Sequence, residues 1–339
     1  MHPYIAVPVT AALVWRAYSR DSLTPAGIVV AALTAVVHAI HPWSVFFALL
    51  VVFFLAGTAV TKVKHRVKAQ LTLSSAGSSG GEGRRTHVQV LANSLVASLL
   101  ILLHYRQLLA RDKSGHTSQG CWPYASDFLV VGIVSNYAAV AADTFSSELG
   151  ILSKDKPRLL TSWNFRTVPP GTNGGITLLG TSAGFLGASI MALTSVLLLP
   201  FCPVGLTSRA GKLFGDIQPG FEGGSGWGFW EKVAWVLAVS LWGGLGSLLD
   251  SALGGWFQAS VVDVRSGKVI EGTGGGKHTG PCDWTPTSSK TATVSRRVES
   301  GISLLDNNAV NFLMAFVMSA GGMVVSAYLW DLPLGTILQ

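Results

Sequence analysis

Charged side chains are scarce: Lys, Arg, Asp and Glu together make up 12% of the 339 residues. Hydrophobic residues make up 49%, and the mean hydropathy is +0.46. A soluble chain of this length would bury a large core in one or two domains. The long charge-poor runs argue against that class and point to a membrane protein. Cysteine is nearly absent. Cys121, Cys202 and Cys282 are odd in number and far apart, so they give no metal-binding spacing and no obvious disulfide framework. The opening MHPYIAVPVTAALVWRAYSR lacks a basic leading segment and a convincing cleavage site, so it reads as a retained first span or signal anchor. Acidic residues number 17 against 24 Lys and Arg, giving a formal charge of +7. The basic residues form no stripe on a soluble domain, which argues against nucleic acid as a partner.

What is present is a series of apolar runs. About 20 residues are needed to cross a bilayer's hydrocarbon. Runs of that kind lie at 2–18, 22–40, 43–61, 88–104, 124–142, 173–200, 229–250 and 306–330, so the sequence predicts an all-α, polytopic helical membrane protein with about eight spans. Residues 1–330 then form a single integral-membrane domain. Its expected connections are a basic, flexible loop at 62–87, an active-site loop at 143–172 and a long polar loop at 258–305. With eight spans, one face receives residues 16–21, 62–87, 143–172 and 251–305, which hold 18 of the 24 Lys and Arg. Positive residues stay cytosolic, so these loops are expected in the cytosol. The small, polar residues at 69–86 read as a flexible connection. Gly180, Gly184 and Gly187, and later Gly243 and Gly246, thin two spans in the manner of close helix packing.

Unusual polar groups gather at that basic face. Asp143 and Glu148 lie in AADTFSSELG at the end of the fifth run; Asp250 ends the seventh, and Asp306, Asn307 and Asn308 open the eighth. Arg166 and the PPGTNGG segment precede the sixth. An acid at a helix C-terminus is unfavourable by about 0.3–1 kcal/mol unless a cation compensates. Mg²⁺ prefers oxygen ligands and often uses one or two carboxylates, which makes Asp143 with Asp250 the favoured metal-ligand pair. Glu148 is a possible third group, but five residues from Asp143 it shares that face only if the helix bends. The plainer alternative for these acids is helix capping or pairing with Lys154, Lys156 or Arg166; for Asp306 it is a cap on the eighth helix.

Gly171, Thr172, Asn173, Gly174 and Gly175 form a turn able to present successive backbone amides to phosphate, or simply to pack closely; Arg166 could clamp phosphoryl oxygens or pair with a carboxylate. Asn93 and Asn136 either complete the cavity or bond between helices. Lys62, Lys64, His65 and Lys68 attract anionic lipid or nucleotide, or follow the ordinary positive-inside bias. His278 and Cys282 do not by themselves establish a zinc site.

Taken together, GEGRRTHVQVLANS, ADTFSSELG, RTVPPGTNGGITLLGT, LLDSALGG and DNNAVNF resemble the integral-membrane family containing transmembrane protein 19 and the plant phytyl-phosphate kinases, over residues 22–330. The resemblance implies a polytopic helical fold and phosphorylation of an isoprenyl monophosphate to its diphosphate, with Mg²⁺ and CTP or another nucleoside triphosphate. It also implies that Asp143, Ser147, Glu148, Arg166, Gly171, Thr172, Asn173, Gly174, Asp250, Asp306 and Asn307 belong to the polar motifs. The expected partners are the isoprenyl monophosphate, the nucleotide and membrane lipids, and the expected location is the endoplasmic reticulum membrane. Two alternatives stand beside the kinase: a transporter for an ion or phosphorylated metabolite, and a noncatalytic lipid-binding scaffold.

Overall fold

A computed structural model describes residues 1–74, 83–113, 121–122, 127–202, 227–271, 296–330 and 335. The apolar runs form helices α1 (Pro3–Ser19), α2 (Pro25–Ile40), α3 (Ser44–Lys62), α5 (His87–Lys113), α6 (Phe128–Gly150), α7 (Leu178–Leu198), α8 (Phe229–Phe257) and α9 (Asn307–Leu329), with a short α4 (His65–Leu71) after α3. Among the described residues, six of these (α3 and α5 to α9) are long and apolar enough to cross a membrane, and α2 is a shorter apolar helix of 16 residues. The expectation of eight spans is therefore met only as six long apolar helices and a seventh shorter one. α1 has 17 residues and exposes Tyr4, Val7, Trp15 and Tyr18.

Local signals set several of the helix starts. Thr24 caps α2, accepting from Gly27 N, and Pro25 follows as its first residue. Thr86 and Gln89 form a reciprocal capping box at the start of α5: Thr86 N donates to Gln89 Oε1 at 2.8 Å and Gln89 N to Thr86 Oγ1 at 3.4 Å. Asp306 accepts from Ala309 N at 2.8 Å, so it caps α9.

α6 is the centre of the bundle. It is 89% buried over its most apolar window and packs against α3, α5, α7, α8 and α9. A helix surrounded in this way needs small residues where others cross it. A Cβ on Gly187 would stand 2.6 Å from Ala141 O, and one on Gly243 2.8 Å from Ala138 O. The glycines of α7 and α8 thus let both backbones reach α6, the close packing expected of them.

Two ends follow from the pairing of connections. At one end a parallel bridge joins Leu23 to Arg85, and α4 leads into a four-stranded sheet, order β1-β5-β4-β6, from β1 (Thr72–Ser74), β4 (Ser260–Asp263), β5 (Val269–Glu271) and β6 (Arg296–Ser300). β1 runs parallel to β5 with Leu73 opposite Ile270; β4 is antiparallel to β5 and β6. Strands β2 (Arg158–Leu159) and β3 (Gly175–Ile176) form a separate antiparallel pair. The helical bundle therefore carries a small sheet that an all-α expectation omits. Strands of two to five residues are too short to show a period. The connection at 69–86 is also more ordered at its start than expected, since residues 69–74 complete α4 and build β1.

At the other end Cys121 and Cys202 form a disulfide, although the three cysteines show no obvious disulfide framework in the sequence. Proximity created by folding, invisible in a sequence separation of 81, supplies the pairing. Trp122, next to Cys121, is fully buried and packs against Phe201, Trp227, Trp235 and Trp330. His278 and Cys282 lie outside the described residues.

Candidate functional site

The two acids singled out from the sequence meet across helices. Asp143 on α6 and Asp250 on α8 have their carboxyl groups within hydrogen-bonding reach of each other. Neither lies in a loop: α6 continues to Gly150 and α8 to Phe257, about two turns beyond each acid. The loop expected at 143–172 accordingly begins after Gly150. The helix-end dipole argument also loses its force, because that field falls off within the last turn. What makes the pair unusual is mutual repulsion. Two carboxyl groups in contact need a shared proton or a cation between them.

Asn311, one turn into α9, completes the cluster. Oriented to satisfy both neighbours, its side-chain nitrogen donates to Asp250 Oδ1 at 3.3 Å and to Asn307 O at 3.0 Å. This residue was not singled out from the sequence. Its only local signal is that it follows Asn307 by four positions, one turn along a face of the helix that Asp306 caps. Asn307 contributes through its backbone carbonyl.

Glu148 does not join the pair. No bend follows Asp143, so the five-residue offset turns Glu148 toward α4, where it forms a salt bridge with Lys68. Lys68 is 8% exposed and also donates to Val60 O at 3.1 Å. Of the basic residues after α3, Lys68 is thus internal. Ser147 is exposed and returns its hydroxyl to Asp143 O at 2.9 Å.

Arg166 is committed to a carboxylate. Its Nη1 donates to Glu299 Oε1 at 2.6 Å and its Nη2 to Glu299 O at 2.7 Å, joining the β2–β3 segment to β6. Arg297 binds the other oxygen, Oε2, at 2.8 Å. The Arg166 hydrogen bond, aided by Arg297, holds the Glu299 carboxyl below the usual carboxylate range.

The glycine turn is similarly engaged. Thr172 N donates to Pro169 O, Asn173 N to Ser260 Oγ at 2.9 Å, and Gly175 N to Thr172 O at 3.0 Å. Gly171 and Gly174 have φ of +86° and +78°, and a Cβ on Gly174 would meet Gly255 Cα at 2.6 Å. The turn therefore seats the loop on the end of α8, the packing alternative, with three of its amides in use. The following helix begins at Leu178 under its own cap, Thr177. Deeper in the bundle Asn136 donates to Asn93 O at 3.0 Å, and Asn93 back to Gln89 O at 3.1 Å, which accounts for both as hydrogen-bonding residues between or along helices.

The donor set at the acid pair consists of oxygens. Among the described residues, no group of three or more His, Cys, Asp or Glu is placed to hold a metal ion. A cation at Asp143 and Asp250 would draw its other ligands from amide, water or phosphate oxygens, which is how Mg²⁺ is ordinarily held.

The comparisons agree with an integral-membrane chain. Residues 8–319 match the family described as integral membrane protein DUF92. Protein PGR of Arabidopsis thaliana is 32% identical over 326 residues, covering 96% of each chain. An uncharacterized membrane protein of Methanocaldococcus jannaschii, MJ0933, is 33% identical over 52% of this chain and 63% of its own. The chloroplastic protein VTE6 of Arabidopsis thaliana is 30% identical over 43% of this chain and 38% of its own. No solved structure matches. With nearly the whole chain inside the match, the protein belongs to the DUF92 family of integral membrane proteins.

Proposed function

We propose that this protein is a membrane-embedded phosphotransferase that converts a phytyl-like isoprenyl monophosphate to its diphosphate, with CTP or another nucleoside triphosphate as donor. The observation that carries the reading is the meeting of Asp143 and Asp250 beside Asn311, at the basic end of an apolar bundle. The resemblance of the surrounding motifs to a family that includes phytyl-phosphate kinases supports it.

In the reaction an oxygen of the lipid monophosphate attacks the terminal phosphorus of the donor. A new P–O bond forms, the bond to the donor's bridging oxygen breaks, and the nucleoside diphosphate leaves. The acceptor is already an anion, so no strong base is required; the difficulty is bringing two anions together. Mg²⁺, when bound, supplies charge neutralisation and orients the donor phosphates. Asp143 and Asp250 would hold that ion through their oxygens, and Asn311 fixes the Asp250 carboxyl. Arg166 and residues 171–175 brace the loop over the end of α8, while Glu148 and Lys68 lock α4 to α6.

The same reading places the basic end in the cytosol, in an endoplasmic reticulum membrane. The Lys and Arg bias supports that orientation, and so does the disulfide at the other end, since such bonds persist in oxidising compartments.

Purified protein incubated with Mg²⁺, a panel of nucleoside triphosphates and phytyl, farnesyl or geranylgeranyl monophosphate should yield the diphosphate, identified by mass. Absence of product across the panel refutes the assignment.

One observation favours a transporter instead: buried polar groups run through the depth of the bundle. Tyr137 donates to His38 Nε2 at 2.6 Å, and farther along, His41 Nε2 lies 2.9 Å from His104 Nδ1, beside Asp127. Proton or ion flux in liposomes, without phosphoryl transfer, would decide for transport.

A further inference from the structure

The acid pair lies at α6, α8 and α9, while a cavity of about 340 Å³ lies among α1, α2, α3 and α5. Its volume is at the lower end of the about 300–1,000 Å³ typical of small-molecule sites. The inner wall is apolar, with Leu13, Val14, Ala31, Ala35, Leu50 and Phe53 on it. The lining at the helix ends is different in chemistry: Arg20, Lys62, His65, Arg84 and Arg85 stand there against one acid, Asp21, which is paired with Arg84 at 2.5 Å. A slot with an apolar wall and a cationic rim is complementary to an amphiphile with one hydrocarbon chain and an anionic head. Its size favours one chain over the two of an ordinary phospholipid.

Arg85 is the best-placed cation. Its backbone is pinned to the segment before α2, with Arg85 N donating to Ser22 O at 3.1 Å and Thr24 N to Arg85 O at 3.0 Å. Its guanidinium Nη2 donates to a neutral acceptor, Thr61 Oγ1, at 2.9 Å. Gly57 of α3 lies between Arg85 and α6: a methyl group at its Cα would stand 3.9 Å from Arg85 Nη1 and 3.7 Å from Thr144 Cγ2. Thr144 is the neighbour of Asp143 on α6. The cavity therefore opens at the same end of the bundle as the acid pair, with α3 standing between its cationic residues and α6.

We infer that this cavity is the binding site for the lipid acceptor: a single-chain lipid monophosphate whose tail lies between α1, α2, α3 and α5 and whose phosphate is held by Arg85 with help from Lys62 and His65. The inference takes the identity of the lipid from the phosphotransferase reading, but binding is measurable without turnover.

The test is equilibrium binding to the full-length protein in detergent, using farnesyl monophosphate, farnesol, inorganic phosphate and dioleoyl phosphatidate as separate probes. Farnesyl monophosphate should bind, and the other three should bind at least tenfold more weakly. Arg85→Gln should weaken farnesyl monophosphate binding by about tenfold or more, through loss of a charge-assisted contact, and leave farnesol unchanged. Ala31→Phe, which fills the wall, should weaken farnesyl monophosphate and farnesol together, in protein that still elutes as a single species. Asp250→Asn should retain farnesyl monophosphate binding while losing turnover. Equal binding of phosphatidate, or unchanged affinity in both Arg85→Gln and Ala31→Phe, would overturn the site. If the site survives these measurements and no diphosphate ever forms, the phosphotransferase reading alone fails; if product forms while both variants bind normally, the cavity assignment alone fails.

Discussion

Arg166 grips Glu299 twice, through the carboxylate at 2.6 Å and the main-chain carbonyl at 2.7 Å, and so ties the loop between α6 and α7 to the last strand of the sheet. Two residues far apart in the chain thereby set the position of the glycine turn on α8.

This latch is pH-dependent in a definite direction. Hydrogen bonding to Arg166, with Arg297, lowers the Glu299 value in the folded protein. Its contribution to stability is present in full above the ordinary carboxylate range and is lost as pH falls through the lowered value. Amide hydrogen exchange of residues 158–176 and 296–300 should speed up in acid, after correction for intrinsic rates. Arg166→Lys should expose the loop even at neutral pH, because an ammonium cannot reproduce the two-pronged contact.

The acid pair separates function from stability. Asp143→Asn and Asp250→Asn should each lower diphosphate formation by about a hundredfold or more. Each should leave the melting temperature unchanged or higher in the absence of divalent cations, since an amide can donate to the remaining carboxylate. Turnover and thermal melts of the same preparations check this. A large fall in melting temperature would mean that the pair is structural.

Lys68 and Glu148 behave in the opposite way. Their side chains are 9% and 11% exposed, so removing one strands the other. Lys68→Ala should destabilise the protein by about 3 kcal/mol, and Lys68→Met with Glu148→Leu should recover much of that loss. Denaturation of the two single variants and the double variant measures the coupling.

The Cys121–Cys202 bond should appear as protection of both thiols from alkylation until a reductant is added. Cys121→Ser should cost about 2–4 kcal/mol, with the effect concentrated at the aromatic end of the bundle and little change in binding at the basic end. Mass mapping and melting curves test both statements.

The positions of the long helices are legible in the chain because an apolar run needs only its own composition to be excluded from water. Capping is equally local: Thr24, Thr86 and Asp306 act on backbone groups within three residues. The acids at 143 and 250 stand out for the same reason, as polar exceptions in apolar runs. Strand β1 is illegible, since its partner β5 lies almost two hundred residues later and nothing in Thr72–Ser74 announces it.

Sequence alone therefore determined a polytopic helical membrane protein, its basic face and the short list of polar residues at that face, because burial in a bilayer selects composition residue by residue. Which of those residues meet was decided by the tertiary structure. The rotation of α6 directs Asp143 to Asp250 and Glu148 to Lys68, folding commits Arg166 to Glu299, and the gap among α1, α2, α3 and α5 exists only once the four helices stand together. Partners of this kind depend on helix orientation and long-range packing, which are properties of the whole bundle.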